Sequence, residues 1–353
     1  MIHRFAYNWT LKDAVFTKDK GKVFSCFACG GGATMGYKLA GFDVIGCNEI
    51  DTKMMECYIA NHQPKYSYLE PIQTFKLRKD LPKELYELDI LDGSPPCSSF
   101  SMAGNREKDW GKEKVFREGQ AEQVLDTLFF DFIDLAKELQ PKVVIAENVK
   151  GLLQGEAIKY VAKIYEEFEA AGYYIQHFLL DASKMGVPQR RERVFFIGLR
   201  KDIATPFLVQ HGFFEQRPVL ILDFNEPEIK FMEIEETKGV GIRRLFPSIK
   251  NMWEKTKEGQ TMIRRSGSTA IGHYKINKNN VLNTVIAHTK GSGGYHYSCF
   301  RSMSKLEFTF AGAFPKDYNF LNNDIQYLIG MSVPPVMTAQ IATEIYNQWL
   351  SNF

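Results

Sequence analysis

The 353-residue chain carries 44 Lys and Arg against 42 Asp and Glu, a net charge of +2, with 44% apolar residues, as in an ordinary globular protein. That length suits one large or two unequal domains, and the cysteines at 26, 29, 47, 57, 97 and 299 show no framework spacing, which excludes a disulfide scaffold and points to a reducing compartment. No run approaches about 18 uncharged apolar residues, and residues 1–22 hold Lys12, Asp13, Lys18, Asp19 and Lys20 with no apolar stretch, so the expectation is a protein neither secreted nor membrane-spanning.

In chain order, residues 22–27 form an apolar run into glycines, and 34–40 start a helix. Residues 44–49 read as a second strand and 52–61 as a helix. Residues 88–92 and 143–147 are short apolar runs ending in acids, separated by the amphipathic stretch 124–139. Residues 158–171 have helical period, while 174–180 and 193–199 are strand-like. This alternation predicts an α/β fold with a doubly wound, mostly parallel sheet. After Arg200 it dissolves into Gly, Ser and Asn punctuation with short β-branched runs such as 281–286, until 336–350 returns to helical period. Residues 238–305 contain thirteen Lys and Arg against Glu254 and Glu258, a local net charge of +11 that leaves −9 for the remainder. So one-sided a segment predicts a polyanionic partner, nucleic acid above all.

Cys29-Gly30-Gly31-Gly32-Ala33-Thr34-Met35-Gly36 lies between the first strand and first helix, where the backbone must turn tightly and admit a ligand. Glu49, eighteen residues beyond Gly31, ends the second strand, where a carboxylate can accept ribose hydroxyls. The pairing suits NAD, FAD or S-adenosylmethionine; no Gly-Lys-Ser/Thr closes the loop, so it is not a Walker A motif. Cys26 and Cys29 are formally C-x-x-C, but no second pair lies nearby to complete a zinc site.

Ser94-Pro95-Pro96-Cys97 follows the apolar run 88–92. Two prolines fix φ and supply no N–H, so the cysteine must leave the sheet edge from a stiff turn. Glu147 ends a strand of the same parallel sheet and emerges at the same edge, where it can protonate a ring nitrogen. Gln189-Arg190-Arg191-Glu192-Arg193 supplies cations that favour a thiolate and can hold a base carbonyl. Thiol, acid and cations suit one reaction: a thiolate adds to C6 of a pyrimidine as N3 is protonated, making C5 nucleophilic toward an electrophilic methyl.

These residues resemble the cytosine-C5 DNA methyltransferases of the compact bacterial and phage type, over nearly the whole chain and in the family's unpermuted order. Phe27-Ala28 with Gly31-Gly32 and Ala40-Gly41-Phe42 is similar to the cofactor motif, and Asn48-Glu49-Ile50-Asp51 to the ribose-binding strand end. Gly93 to Ser101 is similar to the nucleophile motif; residues 142–151 and 186–198 resemble the later catalytic motifs. Residues 301–318, with Glu307 and Phe314-Pro315, look like the segment bracing the recognition domain, and 330–335 resembles the closing motif. Four departures stand out: Cys29 for the first glycine of the loop, Glu70-Pro71-Ile72 for an Asp-Ile pair, Leu306 and Phe308-Thr309 within the brace, and Met331 for Asn.

The resemblance implies a Rossmann-like, class I S-adenosylmethionine-dependent methyltransferase fold. Its catalytic domain would cover 1–200 plus 310–353, and a smaller, irregular target-recognition domain 201–309. It implies Cys97 as nucleophile, Glu147 against N3 and the exocyclic amine, and Arg191 and Arg193 holding the base and ordering the site. Phe27, Ala28, Gly30, Gly31, Gly32, Glu49, Ile50, Ile72, Pro96, Leu128 and Ser332 would meet S-adenosyl-L-methionine, whose product is S-adenosyl-L-homocysteine; no metal is implied. Residues 98–119 would close over double-stranded DNA, with Ser98, Ser99, Arg243, Arg244, Arg264, Arg265, Lys290 and Arg301 as contacts and the target base flipped out. The implied setting is a monomer in a bacterial or phage-infected cytoplasm, serving restriction-modification beside a separately acting endonuclease, phage DNA protection or orphan methylation. A tRNA cytosine-C5 methyltransferase and a catalytically inactive DNA-binding regulator remain the alternatives.

Overall fold

Seven strands pair into one sheet: β1 (Lys22–Cys26), β2 (Asp43–Glu49), β3 (Tyr66–Leu69), β4 (Ile90–Gly93), β5 (Val143–Val149), β6 (Tyr173–Asp181) and β7 (Glu192–Arg200). The computed structural model describes residues 2–96, 113–114, 123–124, 127–211, 215–264, 266–287 and 293–353. Spatial order is β3-β2-β1-β4-β5-β7-β6. Neighbours from β3 through β5 are parallel, whereas β7 runs antiparallel to both β5 and β6. Chain order reverses between β1 and β4, which makes a crevice at the carboxyl ends of those strands.

Strands covered on both faces must be apolar throughout, and β4 is buried at all four positions. On one face, α1 (Gly32–Leu39) and the C-terminal helix at Pro335–Gln348 pack Tyr37, Val336 and Ile341 against Val23, Ile145 and Ile197. On the other, the helices Leu128–Leu139 and Ile158–Ala170 pack Phe129, Phe132, Ile164 and Phe168 against Phe24, Leu91, Val144 and Phe196. α2 (Thr52–His62) starts where the Asp51 carboxylate accepts from the backbone N–H groups of Lys53 and Met54. The helix expected from residue 124 begins at Leu128; Gln123–Val124 instead pairs antiparallel with Glu113–Lys114.

The second unit is smaller and mostly irregular. It holds a helix at Pro247–Lys255 and a sheet of three strands, Thr261–Ile263, Thr269–Lys275 and Gly293–Tyr295. The β-branched run 281–286 forms no strand, and its one ladder-type pairing among the described residues is the isolated Gln189–Leu282 bridge. The boundary expected at residue 201 is displaced by packing. Ala204 and Leu220 are buried in the same cluster as Ile197 and Trp349, and the Gln176 amide donates to the Pro218 carbonyl, so 201–211 and 215–224 pack with the large sheet. The two units meet where Phe231, Ile276, Leu282 and Met303 pack with Met35, Met54, Phe314 and Leu328.

Candidate active site

β4 runs into Ser94, Pro95 and Pro96 at the crevice. Beneath this turn Asp92 is fully enclosed: Ser25 Oγ donates to one carboxylate oxygen at 2.8 Å and the Tyr37 hydroxyl to the other at 2.9 Å. Burial pushes its carboxyl up to about 7. Above it, the Asn148 side-chain amide donates to the Pro95 carbonyl at 3.2 Å, and its own oxygen accepts from the Val149 N–H at 2.8 Å. The end of β5 therefore holds the proline turn. Cys97, Ser98 and Ser99 lie outside the described residues, as does the rest of the expected loop 98–119 apart from Glu113–Lys114.

Glu147 precedes Asn148 on β5 and is 9% exposed. Its Oε1 meets Arg193 Nε at 2.9 Å, and Arg193 Nη1 donates to the Glu192 carbonyl. The reversed direction of β7 creates this pair. Because β7 starts where β5 ends, Arg193 stands across from Val149, at the edge from which Glu147 emerges. Burial lowers the Arg193 pKa against the favourable charge of Glu147.

Of the two arginines expected to hold the base and order the site, Arg191 is placed where it braces the chain. It is 2% exposed, and its guanidinium donates to the carbonyls of Val285 at 3.3 Å and Gly330 at 3.0 Å. Burial, with Arg193 adding to it, pushes its pKa down to about 9. Arg191 thus ties the segment around 285 to the end of the helix Ile325–Met331, while Arg193 pairs with the acid. Gln189, fully buried, extends the tie: its amide donates to the Ala311 carbonyl and accepts from the Val285 N–H.

A cavity opens at the ends of β1, β2 and β4. Its wall includes Phe27, Glu49, Ile50, Ile72, Pro96 and Leu128, all expected from the sequence, with Cys29 and Met331, two of the departures from the family's motifs, and Met54 and Tyr327, which were not expected. Glu49 is fixed within it: Oε1 accepts from the backbone N–H groups of Ile50 and Asp51, and Oε2 from that of Cys29 at 2.7 Å. Burial raises its pKa against those three bonds. A carboxylate offers about four acceptor sites, so capacity remains for a ligand.

Ala28, Gly30, Gly31, Gly32 and Ser332 stand outside this wall. The glycines admit close approach, but of the chain's own parts. Gly31 has φ +84°, and a Cβ there would sit 2.2 Å from His62 Nε2; at Gly32 it would sit 2.4 Å from the Val333 carbonyl. Ser332 turns its hydroxyl to the Leu328 carbonyl. Burial pushes the Cys29 thiol up to about 12 and the Cys26 thiol well above the ordinary range.

The basic segment divides. Arg244 and Arg264 are exposed, whereas Arg265 and Lys290 lie outside the described residues. Arg243 is largely covered, its guanidinium 3.8 Å from Asp324. Arg301, expected at DNA, is instead an internal brace: its two terminal nitrogens each meet an oxygen of the fully buried Glu307 at 2.7 Å, and they also donate to the carbonyls of Ser302 and Glu236. Glu307 in turn closes a capping box with Ser304 at the start of the helix Lys305–Ala311.

A family model described as C-5 cytosine-specific DNA methylase matches residues 21–347. The chain is 37% identical over 182 residues to the Type II methyltransferase M.FnuDI of Fusobacterium nucleatum, covering 52% of this chain and 48% of that one. With M.NgoPII of Neisseria gonorrhoeae it is 34% identical over 197 residues, so these matches span about half of the relatives' length. A longer match, 26% identical, joins 96% of the chain to 89% of M.NgoFVII from the same species. Among solved structures, a putative DNA modification methyltransferase from an E. coli prophage superposes with TM-score 0.66 at 20% identity, covering 93% of this chain and 99% of that one. A mutant form of Spodoptera frugiperda DNMT2 gives 0.61 at 18%, covering 92% and 99%; both likenesses concern the fold.

Proposed function

Because the chain belongs to the C-5 cytosine-specific DNA methylase family, we propose that it is a DNA (cytosine-5-)-methyltransferase acting on a flipped-out cytosine in double-stranded DNA. The observation that carries this reading is the meeting, at one sheet edge, of the Pro95–Pro96 turn, the Glu147–Arg193 pair and the Glu49 cavity. The residues fit S-adenosylmethionine: Phe27, Ile72 and Leu128 offer apolar faces to a heteroaromatic ring, and Glu49 has acceptor capacity for a ribose hydroxyl. When bound, that cofactor supplies an electrophilic methyl group.

In this reading the thiolate of Cys97 adds to C6 of the cytosine, and Glu147 delivers a proton or a strong hydrogen bond to N3, so the ring electrons move to C5. Arg193 holds the Glu147 carboxylate in place and faces the base. Loss of the C5 proton after transfer re-forms the double bond and expels the thiolate. Exposed Arg244 and Arg264 supply phosphate contacts, and the smaller unit from about residue 229 to 304 supplies target recognition. The Type II names of the bacterial relatives, and the orphan methyltransferase of Bacillus phage SPR among further matches, support a role in restriction-modification or phage DNA methylation.

The test is incubation with labelled S-adenosylmethionine and either mixed-sequence duplex DNA or tRNA. Label is expected in 5-methylcytosine of DNA, and Cys97→Ala is expected to abolish it. Labelling of tRNA alone, or unchanged labelling by Cys97→Ala, overturns the reading.

A further inference from the structure

A cleft of about 400 Å³ separates the arginine run from the small sheet, lined by Arg190, Glu192, Thr261, His273, Tyr274, Asn283, Thr284 and Gln326 among others. Its chemistry differs from that of a phosphate site. Among the described residues the lining holds one carboxylate, Glu192, paired with Lys150 at 2.8 Å, and one guanidinium, Arg190, exposed at the rim with a nitrogen 3.4 Å from Glu228. The remaining polar groups are neutral amides, hydroxyls and an imidazole. Phosphates are held by cations, whereas amide side chains read the edges of bases.

Within this wall Asn283 has an unusual setting. Its neighbours are stapled to the arginine run: the Arg190 N–H donates to the Leu282 carbonyl at 2.7 Å, Thr284 Oγ1 donates to the Arg190 carbonyl at 2.7 Å, and Val285 is held by Gln189 and Arg191. Asn283 itself is exposed, and among the described residues its side-chain amide makes no hydrogen bond, while its backbone faces the Tyr274 hydroxyl. A short side chain with free donor and acceptor is thus fixed, three residues away through backbone staples, to the run that carries Arg193 against Glu147. The floor beside it is stiff, since His273 Nδ1 meets the Tyr295 hydroxyl at 2.8 Å and their rings stack.

Resting on the proposed function, we infer that Asn283 is a specificity-determining residue that reads a base pair at a fixed offset from the target cytosine. Rigid attachment to the arginine run sets that offset. The amide geometry suits the paired donor and acceptor of adenine N6 and N7 in the major groove. Arg190 at the rim holds the neighbouring phosphate and carries no sequence information.

The experiment is to express wild type and Asn283 variants in cells lacking cytosine-C5 methylation and to map 5-methylcytosine at base resolution. Wild type is expected to give one motif containing an adenine at a set distance from the methylated base. Asn283→Ala is expected to lose discrimination at that position alone, by roughly 5- to 150-fold, and so to methylate a degenerate set. An unchanged motif in Asn283→Ala overturns the inference. If that variant methylates nothing, Asn283→Asp decides: an acceptor-only side chain should move the preference toward a donor-presenting base, and anything else counts against a reading role. A wild type that methylates no DNA would overturn the proposed function instead.

Discussion

The side-chain amide of Asn148 donates to the carbonyl of Pro95 at 3.2 Å, joining the ends of two adjacent strands beside the residues to which the proposed reaction assigns the thiol and the acid. Asn148 follows Glu147 directly, and Pro95 lies two residues before Cys97. Proline already limits the turn's dihedral freedom, so one further bond is enough to set its distance from the acid. Asn148→Ala should therefore leave the fold and the cofactor KM nearly unchanged while lowering kcat roughly 10- to 100-fold, the scale of a small misplacement of reacting groups. Steady-state kinetics, with the yield of covalent adduct on 5-fluorocytosine DNA, will measure it; a fall in thermal midpoint with unchanged kcat would show the bond to be merely structural.

Glu147 and Arg193 form the second such relationship, both largely buried and 2.9 Å apart. Glu147→Gln keeps the shape but removes the proposed proton source and leaves Arg193 less well paired. Loss of one general acid typically lowers rate by about 10²–10⁴-fold, and that is the expected fall in kcat. Binding of S-adenosylhomocysteine, measured by calorimetry, should persist because the Glu49 cavity is built from other strands. A variant retaining full kcat would remove Glu147 from the proposed chemistry.

The parallel strands were legible because burial on both faces forces continuous apolar runs, and their ends were marked by acids and glycines. The direction of β7 was not, since periodicity is the same whichever way a strand runs; yet that reversal brings Arg193 to Glu147. Residues 201–224 looked irregular and were assigned to the second unit, although Ala204 and Leu220 sit in the core of the first. Short segments without a period give no sign of what they pack on. Tyr327 reaches the cavity three hundred residues beyond Phe27 with no local signal, whereas Met331 beside it stood in the segment that resembles the closing motif. The glycine loop was visible, but its close partners are His62 and Val333 of the same chain.

Arg301 shows how a charge count misleads. Its place in a basic segment suggested phosphate, whereas Ser304 and Glu307 ahead of an apolar run carried the signal of a capping box whose acid would need a partner. With Glu307 fully buried and both terminal nitrogens of Arg301 engaged, removing the arginine strands a buried charge. Arg301→Ala should destabilise the protein by about 3–5 kcal/mol, read by denaturant unfolding. The log–log salt slope of DNA binding, taken where the variant is folded, should stay as in wild type. Near-normal stability with a slope shallower by about one would return Arg301 to the DNA surface.

Asp92 should make stability depend on pH with a definite sign. Its folded-state pKa is about 7 against 3.8 for the ordinary side chain, raised chiefly by burial and further by Glu147. Between those values the folded protein holds a proton that the unfolded chain has released, so stability falls as pH rises. The contribution is fully present below about pH 4 and lost as pH passes through 7. Asp92→Asn removes the titration while keeping partners for Ser25 and Tyr37, whose hydroxyls can each donate or accept. From pH 5 to 7.5, wild type should lose a few kcal/mol relative to the variant, measured by urea unfolding at each pH. A constant difference across that range would mean that Asp92 does not titrate there, and that the carboxylate beneath the proline turn is ionised throughout.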